Sequence, residues 1–308
     1  MKVKFGLAVF LFSIQSLALA QSKLDTLQLL HDLQALSADS LQGRKACSVG
    51  SKKAQAYILT AFQQSHLQAF NGNYKQIFSF SANGVECNEA TNLVGYISGD
   101  SSGCIVLSAH YDHLGVVNGK TYYGADDNAS GVAAMLAFIK YFTQNKPRHT
   151  LVFAIFDAEE AGLLGAKAFL NNLPFEKKRL ALNVNLDMVS RNAQNELYAA
   201  GAKHYPFLKP YLEQTAKISA VKLLLGHDHG LGFDNWTYSS DHAPFHEAGI
   251  PFVYFGVEDH ADYHQPTDTF ANIDPPFFFN AAATILAAVL AFDHHLAEII
   301  QARARLTE

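Results

Sequence analysis

Strongly apolar runs that read as buried strands alternate with helical segments through most of the chain. The clearest runs are CIVLSAH, TLVFAIF, LALNVNLDM and IPFVYFG, at residues 104–110, 150–156, 180–188 and 250–256, and TNLVGYISG at 91–99 alternates like a further strand. Continuous apolar runs are typical of parallel strands that are covered on both faces. The spacing of apolar residues predicts helices over 22–37, 51–67, 130–142, 161–172 and 276–304. This alternation predicts an α/β protein, a three-layer α/β/α sandwich around a mostly parallel central sheet.

Acidic or imidazole side chains follow each of the four long runs. They are His110 and Asp112 after the first, Asp157, Glu159 and Glu160 after the second, Asp187 in the third, and His264 in the loop after the fourth. In open α/β sheets, ligands bind at the edge formed by the carboxyl ends of the strands. The segment YYGADDNASG, residues 122–131, follows the first run and opens a helix, so Asp126 and Asp127 can reach the same edge.

Each of these residues has an ordinary structural interpretation when it is taken alone. Asn128 or Ser130 can cap the helix that follows, and a glutamate pair at a helix start interacts favourably with the helix dipole. Together, however, the residues form a cluster of carboxylates and imidazoles, and only Lys120 and Arg191 lie close in sequence to neutralise it. Because a buried carboxylate needs a partner, the missing positive charge is most simply a metal ion.

The types of ligand narrow the choice of metal. Two histidines with three carboxylates and no cysteine suit zinc, and also cobalt or manganese. Five ligands exceed the three protein ligands that a single catalytic zinc takes, but they suit two ions that share a bridging carboxylate. Two metals about 3.5–4 Å apart hold an attacking hydroxide and a substrate oxygen together.

The composition indicates a folded globular chain and limits its partners. The 308 residues are 49% hydrophobic and 17% charged, with a net charge of −5, which gives no indication of nucleic-acid or anionic-membrane binding. A basic start, an apolar run and ALA at 18–20 predict a signal peptide over residues 1–20. We therefore expect an exported protein, periplasmic or extracellular, with a single domain over 21–308. The apolar stretch AAATILAAVLAF of the last helix is too short to span a bilayer, so we expect no stable membrane anchor.

The cysteines suggest one disulfide, because an exported chain meets an oxidising environment. Cys104 opens an apolar strand and is expected to be buried, which leaves Cys47 and Cys87 as the candidate pair. The spacings match no zinc–cysteine pattern.

Several motifs together resemble a known family. SAHYDHLG, GADDNASG, DAEEAGLLGA, NLDM and DYHQPTDT occur in the order and with the spacing of the M28 family of zinc aminopeptidases. The resemblance covers roughly residues 90–290, and the stretch LQGRKACSVGSKKAQAYI resembles the segment that usually precedes this region. It implies an enzyme that hydrolyses the peptide bond at a free amino terminus, with peptides as its substrates.

The resemblance also implies a ligand set for two zinc ions. His110, Asp127 and Asp187 would hold one ion, and Asp127, Glu160 and His264 would hold the other. Asp127 would then be the bridging carboxylate, and the charge of the two cations would offset the cost of burying it.

Further roles are implied for neighbouring residues. Glu159 is similar to the general base that takes a proton from water and returns it to the leaving amine, and Asp112 to the carboxylate that orients the first histidine ligand. Tyr238, one position off the expected spacing, is a candidate for the tyrosine that stabilises the oxyanion. The family often has a cis peptide bond at the position of Asp127–Asn128.

Alternative functions share this fold or its motifs. A glutaminyl cyclase would use a single zinc, a carboxypeptidase or dipeptidase would use the same motifs, and a non-catalytic peptide-binding relative would have lost its metals. The complete ligand set favours the di-zinc aminopeptidase. We expect the loop GHDHGLGFDNWTYSS, residues 226–240, to form a wall of the substrate pocket.

Overall fold

The computed structural model describes residues 24–82, 85–230 and 232–305. The predicted signal peptide therefore lies outside the described residues. The helices are α1 (Thr26–Leu36), α2 (Val49–Gln64), α3 (Gly131–Gln144), α4 (Leu164–Asn171), α5 (Lys209–Ile218), α6 (His242–Glu247) and α7 (Pro275–Ala304). The strands are β1 (Gln68–Ala69), β2 (Lys75–Ala82), β3 (Val85–Ile97), β4 (Ser101–His110), β5 (Gly115–Val117), β6 (Lys120–Tyr122), β7 (His149–Phe156), β8 (Leu180–Leu186), β9 (Glu196–Ala200), β10 (Lys222–Leu225) and β11 (Phe252–Gly256).

The main sheet of the described chain has nine strands in the order β1-β3-β7-β4-β8-β11-β9-β10, with β2 also paired to β3. Its centre is parallel, because β7, β4, β8 and β11 pair in the same direction. The margins are mixed, since β3 joins β7 and β9 joins β11 in antiparallel fashion. The predicted parallel centre is therefore confirmed, and antiparallel strands extend it on both sides.

The central strands are covered on both faces, which confirms the three layers. One core cluster combines buried side chains of α1, α2, α3, α5 and α7 with Ile105 and Leu107 of β4. The other combines α4 and α6 with Val106 of the same strand. Successive side chains of a strand point to opposite faces, so an uninterrupted apolar run supplies both cores.

The last helix, α7, is a core helix of this fold. Within the described residues it alone is long and apolar enough to cross a membrane by length and composition, which differs from the expectation drawn from its central apolar stretch. However, 67% of its most apolar window is buried inside the protein, and it packs against α5, β4 and β8.

The amino-terminal segments are fastened to the sheet by the predicted disulfide. Cys47 and Cys87 are bonded, with Cα atoms 5.8 Å apart, a usual separation for a disulfide. Cys104 is free and buried at the start of the apolar part of β4, as expected.

The register of the parallel strands brings their carboxyl ends together. His110 at the end of β4 lies beside Phe156 at the end of β7, and Ser108 lies beside Asn185 of β8. Asn185 in turn pairs with Tyr254 of β11. Residues that follow these strands therefore meet at one edge of the sheet.

Candidate metal centre

The predicted ligands converge at this edge. His110 ends β4, Asp187 follows β8 directly, Glu160 lies in the turn after β7, His264 lies in the loop after β11, and Asp127 lies in the irregular turn Ala125–Ser130 before α3. The structure thus brings together all five residues of the predicted ligand set.

Asp127 lies between two imidazoles. Its Oδ1 atom is 3.4 Å from His110 Nε2, and its Oδ2 atom is 3.1 Å from His264 Nε2. Asp187 Oδ1 is 3.3 Å from the same His110 nitrogen, and Glu160 Oε2 is 3.5 Å from the His264 nitrogen. We call the first group (His110, Asp127, Asp187) the first position and the second group (Asp127, Glu160, His264) the second position.

These separations fit two metal ions that share one carboxylate. Zinc bonds to nitrogen and oxygen are about 2.0–2.1 Å long, and two ligands at the tetrahedral angle therefore lie about 3.3 Å apart. The observed separations of 3.1–3.5 Å lie around this value. The residues present therefore suit zinc at both positions, with no large rearrangement of the chain.

The carboxylates of the cluster need positive charge. Burial raises the pKa of Glu160 to about 8, and the Asp127 carboxylate adds to this. Burial also raises the pKa of Glu159 well above its usual value, with Asp241 and Asp187 adding to it. Divalent cations at this edge would let these groups ionise at neutral pH.

The pKa values of two histidines at this edge shift in opposite directions. Burial disfavours protonation of His110, but the carboxylates of Asp187 and Glu159 outweigh it and raise its pKa. For His113, burial dominates and lowers the pKa to about 4. His113 therefore stays neutral at physiological pH, as an imidazole that is available to a metal must be.

Asp112 orients the cluster in a different way from the one implied by the resemblance. The hydrogen bond of His110 Nδ1 is with the backbone carbonyl of Asp112 at 3.1 Å, whereas the nearer carboxylate oxygen is 3.7 Å away. The carboxylate instead accepts hydrogen bonds from the backbone N–H groups of Glu159 at 3.0 Å and Glu160 at 3.3 Å. One residue thus fixes both the histidine and the turn that carries the two glutamates.

Asp126 is a structural neighbour of the bridging residue. Its Oδ1 atom accepts hydrogen bonds from the Ser190 N–H and hydroxyl, both at 2.7 Å, and its Oδ2 atom lies 3.0 Å from His260 Nε2. Asp268 in turn accepts from the backbone N–H groups of Asp126 and Asp127. These bonds fix the backbone on which the bridging carboxylate stands.

Asn128 fastens the same turn to its surroundings. The peptide bond between Asp127 and Asn128 is cis, as the resemblance implies. The Asn128 side chain accepts a hydrogen bond from the N–H of Gly131 at the start of α3, and donates one to the carbonyl of Leu186 at the end of β8. It therefore serves both as a helix cap and as a link to the neighbouring strand.

Arg44 lies beside the site and was assigned no role from the sequence. Its guanidinium is fully buried and donates to the carbonyls of Tyr111 at 2.8 Å, Leu36 at 2.6 Å, Tyr123 at 2.5 Å and Gly124 at 2.9 Å. Tyr111 follows the first histidine ligand, and Gly124 precedes the turn of the bridging aspartate. Arg44 thus ties together the two segments that supply these predicted ligands, and nothing in the stretch LQGR of the sequence indicates these contacts.

Tyr238 does not join the cluster. Its side chain is 59% exposed, and its ring packs against His246 at 5.7 Å. No contact of Tyr238 with a predicted ligand is found among the described residues, so its proximity to SDH in the sequence does not carry into the site.

Two other tyrosines lie at the site instead. The Tyr254 hydroxyl is 3.5 Å from the backbone oxygen of Asp187, and the ring of Tyr263 stacks on His264 at 4.0 Å. Burial raises the pKa of Tyr263, and the carboxylates of Asp127 and Asp187 raise it further. Both are near the ligands, and Tyr263 remains a protonated hydrogen-bond donor beside them.

His113 is a third imidazole at the second position. It is 1% exposed, and its Nδ1 atom is 2.8 Å from Glu160 Oε1 and 3.7 Å from Asp127 Oδ2. No role is predicted for His113 from the sequence, although it lies in the same SAHYDHLG motif as His110, the first predicted histidine ligand.

The loop over 226–240 lies against the site through aromatic side chains. His227 stacks on Trp236 with ring centroids 3.7 Å apart, and Trp236 packs edge-on against Tyr254 at 5.8 Å. The His227 ring thus stacks on Trp236, and its Nδ1 atom lies 2.8 Å from the Asp234 carboxylate.

Comparisons with known proteins agree with this fold and motif set. The model of peptidase family M28 matches residues 92–289. Aminopeptidase YwaD of Bacillus subtilis is 31% identical over 198 residues, which are 60% of this chain and 40% of that protein. A vacuolar membrane protease of Candida albicans is 26% identical over 219 residues, 67% of this chain and 23% of that protein. The matched part thus spans less than half the length of these curated relatives.

Solved structures share the fold at low identity. The zinc aminopeptidase BSAP from Bacillus subtilis has a TM-score of 0.69 at 18% identity, covering 86% of this chain and 94% of that one. The glutaminyl cyclase of Porphyromonas gingivalis has a TM-score of 0.72 at 18% identity, covering 87% and 98%. These likenesses establish the fold, and the family model, which matches well over half of the sequence, establishes the family: the chain belongs to peptidase family M28.

Proposed function

We propose that the protein is an exported di-zinc aminopeptidase that removes amino-terminal residues from peptides. The observation that carries this proposal is the position of Asp127, whose two oxygens face His110 on one side and His264 on the other at 3.4 and 3.1 Å. Zinc ions held there would act as Lewis acids that polarise the scissile carbonyl and lower the pKa of water. Membership of the family and the match to aminopeptidase YwaD support peptide hydrolysis.

Glu159 is suited to move the proton. A carboxylate oxygen of Glu159 lies within 4.8 Å of ligand atoms of His110 and Asp187, so it faces the first position. Burial raises its pKa, which brings a carboxylate closer to the range in which it both accepts and returns a proton. Glu159 would accept the proton of the attacking water at its carboxylate and donate it to the leaving amine.

Tyr263 is the residue that we assign to the developing oxyanion. It stacks on His264, and burial together with nearby carboxylates keeps its phenol protonated. A hydrogen-bond donor held beside the ligands stabilises negative charge on the substrate oxygen without reorganisation. Tyr238, exposed against His246, is not placed for this role.

The substrate class and the compartment are proposed from the sequence and from the family. The predicted signal peptide over residues 1–20 supports export to the periplasm or the medium, and the net charge of −5 offers no support for nucleic-acid partners. A free amino terminus on the substrate is proposed from the family and from the aminopeptidase relative.

Glutaminyl cyclisation is the second candidate. The observation in its favour is the shared fold of the Porphyromonas gingivalis enzyme. The full set of two imidazoles and three carboxylates suits two ions instead of one, so hydrolysis is the better supported function.

Substitution of the proposed base tests this function. In the purified protein we expect Glu159→Gln to lower kcat on aminoacyl-p-nitroanilides by about 10²–10⁴-fold, the usual contribution of a general base, while two zinc ions per chain are retained. Metal content by mass spectrometry and steady-state kinetics measure both quantities. Glu89→Gln, which changes an exposed glutamate that pairs with Lys52, is the matched control. Wild-type protein that cyclises glutaminyl peptides but cleaves no anilide would contradict the proposal.

A further inference from the structure

We propose that Arg191 and His260 are positioning residues that hold the loop carrying His264 in place at the metal centre. The inference rests on the proposed function, because it concerns the place of a predicted zinc ligand. Both residues would act through the loop and through Asp126, without binding metal themselves.

His264 is the predicted ligand at the second position that most needs support. Its side chain is 38% exposed, against 5% for Asp127 and 13% for Glu160. It lies in the turn-rich loop after β11, and its φ of +52° is in the left-handed region that residues other than glycine rarely adopt. Such a backbone persists only where surrounding contacts hold it, so the place of this imidazole depends on what fixes the loop.

Arg191 makes the first of these contacts. Its guanidinium pairs with the carboxylate of Asp262, two residues before His264 in the chain. Both side chains are half-buried, and a pair that is partly sheltered from water is screened less than a fully exposed one. Because Arg191 lies in the segment that follows Asp187, this pair ties the loop to a segment that carries a ligand of the first position.

His260 makes the second contact. Its Nδ1 atom accepts a hydrogen bond from the backbone N–H of Asp262 at 3.2 Å. This bond assigns the ring proton to Nε2, which donates to Asp126 Oδ2 at 3.0 Å. The imidazole thus links the backbone of the loop to the residue that precedes the bridging aspartate.

The two contacts close into a ring of hydrogen bonds. Asp126 Oδ1 accepts from the N–H and the hydroxyl of Ser190, both at 2.7 Å, and Ser190 directly precedes Arg191. We call this ring the clasp; its members are Asp126, Ser190, Arg191, His260 and Asp262. It joins the three segments that carry a ligand of the first position, the bridging aspartate and His264.

The clasp and Asp268 hold the loop on opposite sides of His264. The clasp acts before the ligand in the chain, whereas Asp268, after it, accepts hydrogen bonds from the backbone N–H groups of Asp126 and Asp127. Loss of the clasp would therefore free one side of the loop and leave the rest of the fold in place. The second position should weaken while the first position stays intact.

Variants of the clasp test this assignment. Arg191→Met removes the guanidinium, Asp262→Ala removes its partner, and the double variant completes a cycle that measures their coupling. His260→Phe keeps a ring and loses both of its hydrogen bonds. The control, Lys146→Met, breaks an exposed ion pair with Asp100. Chelator competition gives the zinc affinities of folded protein, and mass spectrometry follows hydrogen exchange over residues 257–264 of the metal-free protein.

We expect each single variant of the clasp to weaken one of the two zinc affinities by about 10–100-fold, the usual effect of a residue that holds a metal ligand, and to leave the other unchanged. The double variant should lose no more than either Arg191→Met or Asp262→Ala, because the two side chains act as a pair. In the metal-free protein, exchange over the loop should rise by about tenfold or more, with no change in the control.

Three results would overturn the assignment. They are equal weakening of both zinc affinities, exchange that rises across the whole chain, and losses that add in the double variant. A wild-type protein that binds a single zinc would refute the di-zinc function instead, and exchange over the loop of the metal-free variants would still decide whether the clasp holds it.

Discussion

At the scale of single residues, the chemistry that the site can support depends on which side-chain atoms lie close to one another. The sequence predicted the acids and histidines that the structure brings together at this edge, because such residues at the ends of strands carry a chemical signal of their own. It did not predict that Tyr263 stacks on His264 or that His113 lies beside Glu160, because both contacts depend on the packing of the folded chain. Tyr238 was the candidate oxyanion stabiliser because it lies close to SDH in the sequence, but in the structure its side chain is exposed.

Replacement of Tyr263 tests the assignment of the oxyanion donor. We expect Tyr263→Phe to lower kcat by about 10²–10³-fold, the usual cost of losing one such donor, with zinc content unchanged. Tyr238→Phe is the matched control, and its kcat should stay within about twofold of the wild type because its hydroxyl lies outside the cluster. The reverse pattern in steady-state kinetics would reinstate Tyr238.

At the scale of secondary-structure elements, the long apolar elements were predictable and the short ones were not. The strands β4, β7, β8 and β11 and the helices α1, α2, α3 and α7 lie where the apolar pattern predicts them. Strand β2 was missed, because its side chains alternate between exposed and half-buried without a strong apolar run. Strands β9 and β10 and helices α5 and α6 were missed as well, since they are short and lie among polar loops.

The connection between elements at the site depends on Arg44, whose position was not predictable from the pattern. The residue before it, Gly43, has a φ of +68°, and a Cβ atom there would lie 2.1 Å from the Tyr122 carbonyl oxygen. Glycine is therefore needed at this close approach, and it lets the guanidinium reach the carbonyls of Tyr111 and Gly124.

Removal of this link should loosen the metal site as well as the fold. We expect Arg44→Met to lower zinc affinity by about 10–100-fold and to lower the free energy of unfolding, because the buried carbonyls lose their donors. Arg44→Lys should recover part of both, since an ammonium group donates fewer and less planar hydrogen bonds. Chelator competition and denaturant unfolding measure these effects, with the exposed Arg148→Met as control. Unchanged zinc affinity in a folded Arg44→Met protein would show that the link is structural only.

At the scale of the whole molecule, the parallel centre of the sheet gathers acidic groups from separate parts of the chain at one buried edge. The same fold serves a zinc aminopeptidase and a glutaminyl cyclase among the solved structures, so the fold alone does not decide the function. What bears on the function of this chain is the predicted set of five ligands that converge around Asp127, together with the positive charge that these buried groups require.

The need of the buried carboxylates for positive charge predicts how the stability of the metal-free protein depends on pH. Burial raises the pKa values of Glu160 and Asp241 to about 8 in the folded state, above their values in an unfolded chain. The folded state thus binds more protons than the unfolded state between pH 6.5 and 8, and its stability falls as the pH rises through this window. The lowered pKa values of His113 and His242, about 4 and about 3, act in the opposite direction near pH 6.5, where the unfolded chain still binds protons at these histidines. This opposing change is complete by about pH 7.5, whereas the loss of protons from Glu160 and Asp241 continues to pH 8.

Thermal unfolding of chelator-treated protein at pH 6.5, 7.25 and 8 checks this dependence. We expect the Tm of the metal-free protein to fall across the series and to fall less in Glu160→Gln. Zinc should remove most of the dependence, because ligands that are bound to metal are already deprotonated. A Tm of the metal-free protein that rises with pH would contradict the proposed charge imbalance.

The proposed function depends above all on Asp127, which we expect to bridge two metal ions. The most direct measurement is anomalous X-ray diffraction from crystals of the zinc-loaded protein, recorded on both sides of the zinc absorption edge. We expect two peaks about 3.5–4 Å apart, one beside His110 and Asp187 and the other beside Glu160 and His264. A single peak, or two peaks that do not both contact Asp127, would contradict it.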